Sequence, residues 1–311
     1  MKNKVSKVWW YIVGGGISVA SIYFMYRLIM PNLDMLVDIQ NNIRVVPLFL
    51  TFPVYSLGVV SSAVIWGQVM ISLGIELPLS RHILINIVTN VAKRIPGMIW
   101  HVIGRIAWYE RYGVRKSVTT FANILEPVLI ILSGLIMTTL FLPFLSTHLN
   151  QSPFFFVGGI IIGLCIIHPR LIQAILSKLG QEVPQEKLTY KRTLGWILSY
   201  MIVWLIGGTV LFLVVKIYLD VPLSLWPICI AIWCAAGVAG TLTIFLPAGF
   251  GLSEATISLF LASQIPSSIA VITAITMRIL LTLYEFILAF VLFSLRRYLI
   301  QPATVDLDQI N

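Results

Sequence analysis

Runs of about twenty apolar residues recur along the whole chain, and each is long enough to cross a hydrocarbon layer of about 30 Å as a helix. That recurrence constrains the fold more than any other feature. In lipid every backbone polar group must be satisfied internally, so only helices and closed barrels are viable. The runs are rich in Leu, Ile and Gly and lack the short period-2 alternation of a membrane barrel. The expected fold is therefore all-α: a polytopic integral membrane helical bundle. Composition agrees. Charged residues make up only 11% of the 311 residues, where a soluble domain carries roughly 25%.

The expected full spans are 9–29, 45–73, 117–142, 153–168, 193–216 and 268–295. Two regions differ. Segment 80–116 is semi-polar, with Arg81, Lys93, Arg94, Arg105, Arg111, Arg115 and Lys116, and is broken at Pro96-Gly97. Segment 224–263 is apolar but is broken at Pro247-Ala248-Gly249-Phe250-Gly251.

The net charge of +9 lies mostly in short segments beside the apolar runs, which is the positive-inside pattern rather than a nucleic-acid footprint. The basic segments are the N-terminus, 80–116, 169–192 and Arg296-Arg297. An N-in, C-in topology in the plasma membrane places all of them in the cytoplasm if 80–116 and 224–263 are re-entrant hairpins. The alternative makes 224–246 a full crossing. Lys2, Lys4 and Lys7 ahead of the first run read as an uncleaved signal anchor.

With the hairpins in place, one membrane domain over 1–311 divides into inverted repeats, 45–142 and 193–295. Each is a span, a broken hairpin and a span. Glu126 follows Pro96 by thirty residues and Arg278 follows Pro247 by thirty-one. Inverted repeats with broken helices near the midplane are a transporter signature.

The candidate site follows from the breaks. A half-helix beginning after Pro247, Gly249 and Gly251 presents free N–H groups and a dipole that favours an anion; the alternative is a packing kink. Glu254 then reads as a helix N-terminal acid, with a catalyst as the alternative. In the first hairpin, His101, Arg105, Trp108 and Tyr112 share a helical face. Arg105 is suited to grip a phosphate, or merely to snorkel. Lys93 and Arg94 suit headgroups at the inner face, with a specific site as the alternative. Glu126 and Arg278 lie deep in spans, where unpaired charge is costly. They are expected to face each other across the repeat interface, as a substrate or gating site or as a structural ion pair, with Glu285 as a possible second acid for Arg278.

Nothing points to a cofactor or a metal. The four histidines and the three cysteines, Cys165, Cys229 and Cys234, have no ligand spacing. Nucleotide-binding and hydrolase motifs are absent from the sequence.

Two stretches resemble the transmembrane, flippase-like family found in lysylphosphatidylglycerol synthases. One is Arg94-Ile95-Pro96-Gly97 with Trp100, Gly104-Arg105, Tyr112-Gly113-Val114 and Leu125-Glu126. The other is Leu246-Pro247-Ala248-Gly249-Phe250-Gly251-Leu252-Ser253-Glu254 with Met277-Arg278. Ala248 and Pro127 depart from the family pattern, which favours Gly and Arg there. The resemblance implies a stand-alone membrane domain that moves a phospholipid, glycolipid or polyprenyl-linked lipid between leaflets in envelope biogenesis. The ligand it implies is a membrane lipid with an anionic phosphate headgroup. With only 296–311 beyond the last span, no soluble aminoacyltransferase domain is expected. Two alternatives stand beside this reading. One is a membrane-embedded glycosyl or acyl transferase using Glu126 or Glu254. The other is a non-catalytic partner of an envelope glycosyltransferase or lipid synthase.

Overall fold

The structure is a computed structural model that describes residues 43–94, 99–145, 154–180, 187–242 and 252–299. The described residues are helical, with no strand among them. The span expected over 9–29 and both Pro-Gly breaks lie outside them.

A first run of four helices comprises α1 (Val45–Ser72), α2 (Leu79–Asn90), α3 (Trp100–Glu110) and α4 (Lys116–Leu145), with a 3-10 turn at Val91–Arg94 closing α2. The helices α5 (Phe154–Ile166) and α6 (Pro169–Lys178) follow. A second run repeats the order long, short, short, long: α7 (Tyr190–Tyr218), α8 (Leu225–Leu242), α9 (Leu252–Leu261) and α10 (Ser267–Leu299).

Four helices, α1, α4, α7 and α10, are long and apolar enough to cross a membrane, and a fifth span results if α5 and α6, bent by 46°, are counted as one. Their outward faces carry Phe49, Leu57, Leu198, Ile202, Phe286 and Phe290, all exposed. A surface of this kind suits lipid tails rather than water. Within α6 the residues Pro169, Ile172 and Leu176 are buried while Arg170 and Lys178 are exposed, so the expected basic loop at 169–192 begins as an amphipathic helix. His168 caps it by accepting from the Arg170 N–H, with Pro169 at the first helical position.

Local chemistry sets the boundaries. Gly113 has φ +74°, a left-handed conformation that turns the chain out of α3. Thr189 caps α7 by accepting from the Arg192 N–H. Pro78 and Pro266 stand just before α2 and α10, where a residue with no N–H costs little.

Packing is reciprocal between the two runs. The most extensive helix contact is α1 on α7; α4 packs on α8, and α10 packs on α2. The α1–α7 pair is tied at both ends. Before α1, the Arg44 N–H donates to the Ile217 carbonyl at 2.9 Å, and its guanidinium lies 2.7 Å from Asp220, just after α7. Before α7, Lys187 donates to Glu76, beyond the end of α1, at 2.7 Å. In each tie a base preceding one helix meets an acid following the other. Arg44 and Lys187 hold the Asp220 and Glu76 carboxyls below their ordinary values through these hydrogen bonds and their charges.

Candidate functional site

Between the two runs lies a cavity of about 240 Å³. Its wall draws on α1 (Tyr55, Ser62), α2 (Asn90), the 3-10 turn (Lys93), α7 (Tyr200, Trp204), α8 (Trp233) and α10 (Glu285), with aliphatic side chains between them. Tyr55 and Ser62 are seven positions apart, so the cavity runs about 10 Å along α1. Glycine makes room for the aromatic walls. The indole of Trp233 lies so close over Gly207 that a Cβ there would overlap it, and the Trp204 indole lies against Gly237 in the same way. The Trp204 N–H is spent on α4, donating to Ser133 Oγ at 3.0 Å. The Tyr55 hydroxyl donates to Glu285 at 2.7 Å, fixing that carboxylate at the wall.

Behind this wall sits a buried ionic hub. Arg105 is fully buried. Its Nη1 donates to Glu126 Oε2 at 2.6 Å and to Asn123 Oδ1 at 3.0 Å, and its Nη2 donates to Asn90 Oδ1 at 2.8 Å. The guanidinium also lies 4.0 Å from the centre of the Trp66 ring, a cation–π contact that offsets part of its desolvation. Trp66 Nε1 in turn donates to the Tyr109 hydroxyl at 2.9 Å, and His82 Nδ1 lies 2.7 Å from the same hydroxyl. Asn90 belongs to both arrangements: it accepts from Arg105, donates to Asn86 at 2.9 Å, and lines the cavity. It is the link from the hub to the wall.

The second run carries a counterpart of opposite polarity. Arg278 on α10 donates to Glu254 on α9 at 2.9 Å. In the first run the short helix supplies the arginine and the long helix the acid; in the second these are exchanged. The second pair is also more open, with the Arg278 side chain 29% exposed against 0% for Arg105.

These positions correct one expectation. Glu126 and Arg278 do not pair with each other; each is held by a partner on the preceding short helix of its own run, Arg105 and Glu254. The physical reason is reach. A short helix packs directly against the long helix that follows it in both runs, so the opposite charge arrives from the nearest packed neighbour. Arg105 also does not snorkel, and it shares its buried face with Tyr109 one turn on. Glu254 occupies the first turn of α9, as a helix N-terminal acid, and pairs with Arg278.

Of the expected site residues, Pro247, Gly249 and Gly251 lie outside the described residues. Arg105, Glu126, Glu254, Arg278 and His101 are not among the described residues on the cavity wall, though Arg105 donates to Asn90, which is on it. The residues that sequence reasoning missed are Asn90, Asn123, Tyr55, Tyr200, Trp204 and Trp233. One signal was available: Asn86 and Asn90 are four residues apart in an apolar helix, a spacing that puts two amides on one face. The aromatic residues gave no such signal, because Trp and Tyr are equally at home in a core or a membrane interface.

As acids or bases, Glu126 and Glu254 are poorly placed, each bound to an arginine guanidinium rather than presented to an open surface. The cavity wall is instead aromatic and aliphatic with a few fixed polar groups, the usual make-up of a small-molecule site. Among the described residues no group of His, Cys, Asp or Glu has the arrangement of a metal site. No protein-family model matches the chain, and no curated protein matches it.

Proposed function

We propose that this chain is a lipid transporter of the flippase-like type that its two Pro-Gly stretches resemble, moving a phosphate-bearing lipid between leaflets of the plasma membrane. The observation that carries the reading is the cavity between the two helix runs, whose apolar and aromatic wall holds Lys93, Asn90 and Glu285. Such a wall accepts a headgroup while the acyl chains remain in lipid. Alternating access in transporters is commonly a rocking of two repeats about a fixed site. The repeated long-short-short-long order, the reciprocal packing of α4 on α8 and α10 on α2, and the crossed ties at the ends of α1 and α7 support inverted repeats of this kind. In this scheme six crossings and two re-entrant hairpins place both termini in the cytoplasm. An envelope glycosyltransferase or lipid synthase is the natural supplier of the substrate.

The test is reconstitution into liposomes carrying a fluorescent phospholipid, with chemical quenching from outside. Protein-dependent exposure of inner-leaflet lipid is expected. Ser62→Phe, which fills the cavity from α1, is expected to abolish it while the protein remains folded by size-exclusion chromatography. Equal quenching with and without protein for phospholipid, glycolipid and polyprenyl-phosphate probes alike sinks the reading.

A further inference from the structure

The cavity wall carries charge of both signs. Lys93 enters it from the turn after α2, and Glu285 enters it from α10. The two are brought together by packing: Val91, two residues before Lys93, belongs to the same apolar cluster as Leu288 and Ala289, one turn beyond Glu285, and α10 runs along both α2 and the 3-10 turn. The carboxylate is held in place. The Tyr55 hydroxyl bonds Glu285. Asn90, one turn before Lys93, is fixed by Arg105 and Asn86. A chamber meant for a plainly anionic headgroup gains nothing from a carboxylate in its wall, because that charge repels the phosphate. The aromatic rings of Tyr55, Tyr200, Trp204 and Trp233 on the same wall point the same way, since ring faces attract ammonium groups.

We infer that the cavity selects a zwitterionic headgroup, one phosphodiester joined to one ammonium, with Lys93 and Asn90 on the phosphate and Glu285 with the aromatic wall on the ammonium. This rests on reading the cavity as the lipid site, and it narrows the substrate from phosphate-bearing lipids in general to those that also carry an amine. Lys93 and Glu285 contribute opposite charges to the wall, matching the two charges of such a headgroup. Tyr55 is a positioning residue: it acts through Glu285.

The experiment measures binding separately from transport. The purified full chain in detergent is titrated calorimetrically with dihexanoyl phosphatidylethanolamine, dihexanoyl phosphatidylglycerol and glycerophosphoethanolamine. The wild type is expected to prefer the ethanolamine lipid over the glycerol lipid by about tenfold or more, the range of one charge-assisted hydrogen bond. Glu285→Gln removes that preference while keeping affinity for the glycerol lipid. Lys93→Gln weakens both lipids together. Tyr55→Phe reduces the preference without affecting the glycerol lipid, and it serves if Glu285→Gln does not fold. The double exchange Lys93→Glu with Glu285→Lys restores folding but not wild-type affinity. Equal wild-type affinity for the two lipids overturns the proposal, as does a Glu285→Gln variant that weakens both equally. So does full recovery of affinity in the double exchange, which makes the two residues a structural pair. Binding of glycerophosphoethanolamine as tight as that of the lipid assigns the site to a soluble diester and overturns its lipid part. Selective binding without lipid movement in liposomes leaves this inference standing and sinks the transport reading. Lipid movement without headgroup preference does the reverse.

Discussion

At the scale of single residues, the two ion pairs differ in what their loss costs. Glu126 is 4% exposed and faces a guanidinium with no access to solvent. Removing one member of such a pair leaves the other charge buried and uncompensated, at a cost of about 3–5 kcal/mol. Glu126→Gln is therefore expected to lower the thermal midpoint in detergent markedly, and Arg105→Gln to do the same. The double variant Arg105→Met with Glu126→Leu recovers most of the loss, because no orphaned charge remains. Additive losses in that cycle mean the two side chains are not coupled. Arg278→Gln costs less, about 1–2 kcal/mol, because its side chain is partly open. Gly207 gives a different residue-scale test. Gly207→Ala pushes a methyl into the Trp233 indole, with a penalty of about 1–3 kcal/mol for overpacking. The displaced ring has the cavity it lines to move into, so under the proposed transport function lipid movement in liposomes should fall more than folded yield does.

At the scale of elements, α1 and α7 form the central antiparallel pair, and their ends are joined by Arg44–Asp220 and Glu76–Lys187. Both carboxyls are held below their ordinary values of 3.8 and 4.5. A depressed folded pKa contributes stability above the unfolded value, and that contribution is lost as pH falls through the folded value. The thermal midpoint should therefore hold steady from pH 7 to 5 and decline below the ordinary carboxyl values. The double variant Glu76→Gln with Asp220→Asn should show a shallower decline. The difference is small because both pairs sit at exposed ends; an unchanged slope means the ties contribute nothing to the α1–α7 contact. The same antiparallel arrangement sets the limits of the cavity, since its wall uses one stripe of α1 and one of α7.

For the whole molecule, the antiparallel pair predicts sidedness. If α1 and α7 each cross the membrane, the Glu76–Lys187 tie and the Arg44–Asp220 tie lie on opposite faces. The basic helix α6 belongs with the first, and the short link Leu219–Ser224 with the second. In a background without the native cysteines, Ser177→Cys should react with an impermeant maleimide only from the cytoplasm, and Ser224→Cys only from outside. Both positions are exposed. Labelling of both from the same side contradicts the crossing of α7 and removes the proposed inverted repeats.

Hydrophobic periodicity and punctuation by themselves located the long helices. Spans expected at 45–73, 117–142, 193–216 and 268–295 stand as Val45–Ser72, Lys116–Leu145, Tyr190–Tyr218 and Ser267–Leu299. Length and apolarity are local properties, and a membrane-length helix is their direct consequence. The presence of the costly charges Glu126 and Arg278 was equally legible, because a charge in an apolar run is visible without any partner. Which charge meets which was not. Glu126 and Arg278 are matched in sequence position, yet desolvation is relieved only by atoms within about 3 Å, and those atoms belong to α3 and α9. The same limit hid the cavity. Its wall brings Tyr55, Asn90, Tyr200, Trp233 and Glu285 together from five helices, and no spacing along the chain records that meeting. Only the packing of α1 against α7, with α2, α8 and α10 around them, decided it.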